Sequence, residues 1–138
     1  MASEQQILES LKHLVPDLLD LRQQKPGYSR FCKTGRHEGI GLHLHTGDCT
    51  HNYLGLSLGR YHHDAQGAAT DVVMQIEVEF SQGVARAVCF DRASNPAPVR
   101  LGQADGRVQR VLNDELAEWL GSLWLRGITL PSNSEVSQ

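Results

Sequence analysis

A chain of 138 residues, 40% hydrophobic and 21% charged, has the length and apolar content of one soluble domain. At this size it buries roughly 68–70% of its unfolded surface, so neither a disulfide nor a metal is required for folding. The net charge of −3, with arginines spread singly among acids, disfavours a nucleic-acid partner, whose phosphates call for clustered positive charge.

The first element expected is a helix over residues 3–23. Ser3 and Gln6 fit a capping box, in which each side chain satisfies an orphan backbone N–H. At about 100° per residue, Ile7, Leu8, Leu11, Leu14, Val15, Leu18, Leu19 and Leu21 fall on one stripe, with Lys12, His13 and Asp17 off it. Pro16 removes one helical hydrogen bond. Because the stripe keeps its phase across Pro16, a kink is expected there.

Residues 28–91 alternate in the manner of antiparallel strands with one polar face. "YSRFCKT" is the first and weakest. In "IGLHLH", Ile40, Leu42 and Leu44 alternate with Gly41, His43 and His45; in "NYLGLSLGRY", Leu54, Leu56 and Leu58 alternate with Tyr53, Gly55 and Ser57. "VMQIEVEF" sets Met74, Ile76, Val78 and Phe80 against Gln75, Glu77 and Glu79, and "VARAVCF" follows. A two-residue Gln82-Gly83 turn would place Arg86 opposite Glu79, with Ala85, Ala87 and Cys89 on the core side. "HDAQGAAT" reads as the loop between the third and fourth strands.

After a proline-punctuated segment, residues 105–126 form a second helix, with Val108, Leu112, Leu116, Trp119 and Leu123 as its buried stripe and Gly127 as a left-handed terminator. "PSNSEVSQ" is expected to be a disordered tail beyond residue 131. The fold class is therefore α+β: an antiparallel sheet of about five strands, flanked by an N-terminal and a C-terminal helix within residues 1–131.

The candidate site is the hairpin "LHLHTGDCTHNY". With a loop from Thr46 to Thr50, Leu44 faces Asn52, Leu42 faces Leu54, His45 lies opposite His51 and His43 opposite Tyr53. His43 and His45 are then about 6.6 Å apart along one strand. With His51 across from them and Cys49 at the rim, this set has the geometry to hold zinc with one position open. The competing reading is an exposed strand face rich in histidine, with no cofactor.

Other patterns carry less. "GLSLG" at 55–59 matches the G-x-S-x-G expression, yet the leucine alternation runs straight through Ser57, whereas a nucleophile elbow needs a tight strand-to-helix turn. No catalytic residue is assigned. Trp124 falls about 120° from the buried stripe of its helix, and Leu125 lies off it on the other side. Both are candidate interface residues.

The closing stretch "VLNDELAEWLGSLWLRGITLP", through Asn113, Leu116, Glu118, Trp119, Leu120 and Gly127, resembles the YqiB-like family of small bacterial proteins (domain of unknown function 1249). "MQIEVEFSQGVARAVCF" is similar to that family's central hairpin and "SNPAP" to the segment that follows it. "LHLHTGDCTHNYLGLSL" is compatible with its earlier strand pair, and the likeness covers residues 5–131. Before the last helix the family tends to carry a tyrosine-proline and an Asp-Glu-Lys run, where this chain has "RASNP" and "ADGR". The resemblance implies the fold boundary and a bacterial cytoplasmic setting, and no activity.

Cys32, Cys49 and Cys89 are odd in number and lack a C-x-x-C pair, unlike a secreted disulfide framework. "MASEQQILES" lacks a basic segment followed by an apolar core, so no signal peptide is expected, and no apolar run nears the ~20 residues of a membrane span. The expectation is a cytoplasmic, non-enzymatic domain acting through protein contact, with itself as a homodimer or with another protein. Zinc binding on the histidine hairpin is the alternative.

Overall fold

Ser3 caps the first helix, α1 (Glu4–Leu14), as its capping box requires: Gln6 N–H donates to Ser3 Oγ at 3.1 Å and Ser3 N–H to Gln6 Oε1 at 3.0 Å. The computed structural model describes residues 3–64, 67–92, 99–100 and 106–131; within that span the side chains of 63–64, 67–72, 90–92, 99–100, 106 and 108 are left aside. The expected buried position of Val108 and the disordered tail 132–138 thus lie outside the description.

Pro16 ends the helix instead of kinking it. The residue before a proline is pushed out of the helical region, and Val15 sits at φ −122°, ψ 88°. The chain turns through 16–17 and resumes as a 3₁₀ helix, Leu18–Gln23. This break rotates Leu19, expected on the buried stripe, out to solvent. It also releases groups that a continuous helix would have used. The Leu14 carbonyl, which would have accepted from Leu18, instead accepts from Leu130 N–H at 2.6 Å.

The strands are β1 (Ser29–Lys33), β2 (Glu38–Asp48), β3 (Tyr53–Asp64), β4 (Gly67–Glu79), β5 (Val84–Arg92) and the two-residue β6 (Val99–Arg100). They form one antiparallel meander in sequence order. The α+β architecture is as expected, but the third and fourth strands run on through most of the segment read as a loop, with Asp64 paired to Gly67. The β4–β5 connection is a four-residue turn, 80–83, with Gly83 at φ +68°. Arg86 therefore lies opposite Glu77, not Glu79.

One face of this sheet is closed. Ile40, Leu42, Leu44, Leu54, Leu56, Leu58, Met74, Ile76 and Val78 join Ala85 and Ala87 in a single cluster with α1, the 3₁₀ helix and α2 (Gly106–Leu125). The two α-helices pack on each other and over β5, while the 3₁₀ helix lies on β2 and β3. Cys89 is buried too, but the bulge of β5 sets it opposite Gln75 and outside this cluster, where the core side was expected. Gly127, at φ +71°, ends α2: Ile128 N–H reaches Leu123 O at 3.0 Å and Gly127 N–H reaches Trp124 O at 2.9 Å, the paired bonds of a Schellman motif. No helix among the described residues is long and apolar enough to cross a membrane.

Candidate functional site

The histidine hairpin closes further along the chain than expected. Its turn is residues 49–52, with Asp48 paired to Tyr53, and Leu44 faces Leu56 where Asn52 was expected. Up to Leu44 the slip is four residues, an even number, so those side chains keep their face while their partners change; past the bulge it is five, which sets Thr46 and Asp48 on the face of Gly55 and Tyr53 and turns Gly47 to that of Leu54. His43 lies opposite Ser57, and a bulge at His45 interrupts the ladder between Leu44 and Thr46. His51 sits in the turn, where its Nδ1 contacts Asp48 Oδ2 at 2.6 Å. Asp48 Oδ1 also accepts from the N–H groups of Thr50 and His51, at 2.9 and 3.2 Å. Cys49 is exposed in the same turn. The expected set of His43, His45, His51 and Cys49 is thus not drawn together, and among the described residues no group of three or more His, Cys, Asp and Glu is placed to hold a metal ion.

What the structure does bring together is a polar row across three strands. His43 Nδ1 and Ser29 Oγ are 2.8 Å apart. The rings of His43 and His45 meet edge to face at 5.2 Å, and His45 Nε2 is in a short contact with Ser57 Oγ. Burial, and after it the neighbouring His43, holds the His45 imidazole below its ordinary range. A neutral imidazole touching a serine hydroxyl has the first contact of a base and nucleophile. The rest of such a site is missing among the described residues. No carboxylate orients His45 Nδ1, and Ser57 lies in mid-strand between β2 and β4, with the surrounding N–H groups committed to pairing. The pair is a polar anchor within the sheet face.

Beside it lies an aromatic socket. Phe31 and Tyr61 meet edge to face, ring centroids 6.0 Å apart, above strand positions that carry no side chain. Gly41 and Gly59 are register partners on β2 and β3. A Cβ on Gly41 would stand 2.8 Å from Phe31 Cε1, and one on Gly39 would stand 2.5 Å from the Tyr61 hydroxyl oxygen. Glycine is therefore what lets both rings lie down on the sheet. The cavity they frame, with His43, Ser29 and Ser57 on its polar side and Val73 beyond, measures about 150 Å³. Phe31 is 59% exposed.

Toward the other edge the same face is charged. Arg86 Nη2 donates to Glu79 at 3.2 Å and Nη1 to Glu77 at 3.5 Å, while Nε reaches Glu4 at 3.3 Å. Tyr53 donates its hydroxyl to Glu77 at 3.1 Å; burial and then the Glu77 charge raise the pKa of that phenol. Asn113 accepts from Ala87 N–H at 2.8 Å, next to the bulge of β5. Trp124, 60% exposed, stacks on His13 of α1 with centroids 5.2 Å apart, and Leu125 is 85% exposed.

Sequence reasoning missed the one charged group buried in the core among the described residues. Arg30 is 2% exposed. Its Nη1 and Nη2 donate to Asp17 Oδ1 and Oδ2 at 2.6 and 2.5 Å, its Nε to the Tyr28 hydroxyl at 2.8 Å, and Nη1 also to Leu130 O at 3.1 Å. This bidentate hydrogen bonding, opposed by burial, lowers the Asp17 pKa. The signal was a basic residue at a core-phase position of β1, and a proline one residue before an aspartate.

Comparison with family models, with curated proteins and with solved structures finds no match to this chain.

Proposed function

We propose that this chain works through protein contact, pairing with a second copy of itself over the uncovered face of its sheet. The observation that carries the reading is that face: no described element lies over it, yet it presents Phe31 at 59% exposure beside Tyr61. Strands of 5 to 13 residues give it roughly 30 by 20 Å, on the order of 600 Å² of projected sheet. A stable interface takes about 800 Å² per partner.

The charge layout supports a copy as the occupant. Lys33 is the cation of the β1–β2 side, while Glu77 and Glu79 on β4 outnumber the Arg86 they share on β5. A two-fold axis parallel to the strands sets β1–β2 of one copy over β4–β5 of the other, so unlike charges meet twice in a self-complementary contact. Two twisted sheets stacked this way form an ordinary sandwich. The Trp124 surface is less favoured, because its ring already stacks on His13 within the chain.

Sedimentation across a range of concentrations tests this. The expected result is a dimer that Phe31→Lys turns into a monomer with unchanged circular dichroism, while Trp124→Ala leaves the mass alone. A wild-type protein that stays monomeric throughout, or a dimer lost in Trp124→Ala and kept in Phe31→Lys, overturns the reading.

A further inference from the structure

The socket at Phe31 and Tyr61 has a chemistry more specific than a contact surface needs. Its volume of about 150 Å³ is the size that holds one benzene ring, and well below the roughly 300–1,000 Å³ of sites for larger ligands. It is lined by Phe31 and Tyr61, whose rings lie over Gly41 and Gly39, and by the backbone at Gly59, the register partner of Gly41. Val73 closes one end. Two aromatic rings beside a strand position without a side chain favour a planar ring, which can stack on or meet them edge to face.

The polar side narrows the choice. No Asp, Glu, Lys or Arg among the described residues lines the cavity, so an ionic ligand would lose its hydration with no countercharge from them in return. His43 is held in orientation by Ser29 at its Nδ1, and among the described residues its Nε2 has no hydrogen-bond partner. The cavity thus sets a fixed imidazole beside an apolar slot. From these features we infer that the socket between Phe31, Tyr61, Gly41 and Gly59 is a binding site for a small neutral compound with one six-membered aromatic ring and one hydrogen-bonding substituent, of the phenol class, with the substituent directed at His43. The site is complete within one chain and does not depend on pairing of two copies.

Phenol is the probe, titrated by calorimetry into the wild-type protein at a concentration where sedimentation gives the mass of a single chain, with benzoate and cyclohexanol as comparison compounds. Saturable binding of one phenol per chain is expected, with benzoate and cyclohexanol each at least tenfold weaker. Phe31→Ala removes a wall at an exposed position and should weaken phenol by tenfold or more. His43→Ala should cost about threefold to tenfold, the range of one hydrogen bond. Circular dichroism checks that both variants are folded. Absence of saturable phenol binding, equal binding of benzoate, or binding unchanged in Phe31→Ala overturns the inference. Phenol binding to a protein that never pairs upholds the socket and removes the dimer; a dimer that ignores phenol does the reverse.

Discussion

The two faces of the sheet are made by the same strands and share nothing else. Along β3, Leu54, Leu56 and Leu58 are fully buried under the helices, while Gly55, Ser57 and Gly59 between them look the other way. On the covered face large aliphatic residues fill space. On the bare face glycine, serine and histidine leave space, and aromatic rings lie across it. Alternation thus gives each strand two independent sequences, one answerable to stability and one free to be shaped by recognition. The largest expected effect separates them. Leu56→Ala should cost about 3–4 kcal/mol, as for other fully buried leucines, and Phe31→Ala less than about 1 kcal/mol. Urea unfolding measures both; comparable losses would mean that the bare face is packed and the division of labour is wrong.

The faces were legible because a period of two is written in the residues themselves. The register was not, since a four-residue slip of β2 against β3 preserves the faces up to Leu44 and alternation cannot detect it, nor the bulge that turns residues 46–48 over. The placement of His51 opposite His45 rested on the register, and so it gave way to a turn position for His51 while the strands stood. Local end signals did well for the same reason that alternation did: the Ser3–Gln6 box and Gly127 act within one helical turn of themselves. Pro16 was visible, but whether a proline bends or ends a helix depends on what else can use the freed groups. Here Leu130 and Arg30, distant in the chain, decided it. The socket was hidden because glycines in a strand pattern read as weak strand, and the rings that cover them come from neighbouring strands.

The covered face has one exception to its rule, and the second largest effect sharpens the comparison there. Asp17→Ala leaves the Arg30 guanidinium buried with only the Tyr28 hydroxyl and the Leu130 carbonyl as acceptors. Breaking a buried pair by removing one partner costs about 3–5 kcal/mol; since Asp17 is partly exposed, water can reach the gap, and about 3 kcal/mol is expected. Arg30→Met removes the charge as well as the pair and should be milder, because an apolar residue of similar volume suits that face. Urea midpoints of the two variants rank them. If Arg30→Met is the worse, the guanidinium is holding β1 to the 128–131 segment through Leu130 more than it is neutralising Asp17.

The smallest expected effect belongs to the bare face and is read as a slope against pH. In the folded chain His45 titrates below its ordinary range because it is partly buried and next to His43. The unfolded chain therefore takes up that proton more readily. The contribution to stability is present in full above the unfolded value, near 6.5, and is lost as pH falls through the lowered folded value. Wild-type stability should thus decline between pH 7 and pH 5, by a fraction of the Asp17 effect, and His45→Gln should flatten that decline while keeping an amide within reach of Ser57. Pairing would act in the opposite sense, since a protonated His45 is drawn to the partner copy's acidic side. The measurement therefore belongs in the Phe31→Lys background, where only the single chain contributes. A slope there that His45→Gln leaves unchanged would mean that the imidazole is as well solvated as the rest of the bare face, and that the polar row from Ser29 to Ser57 is ordinary surface.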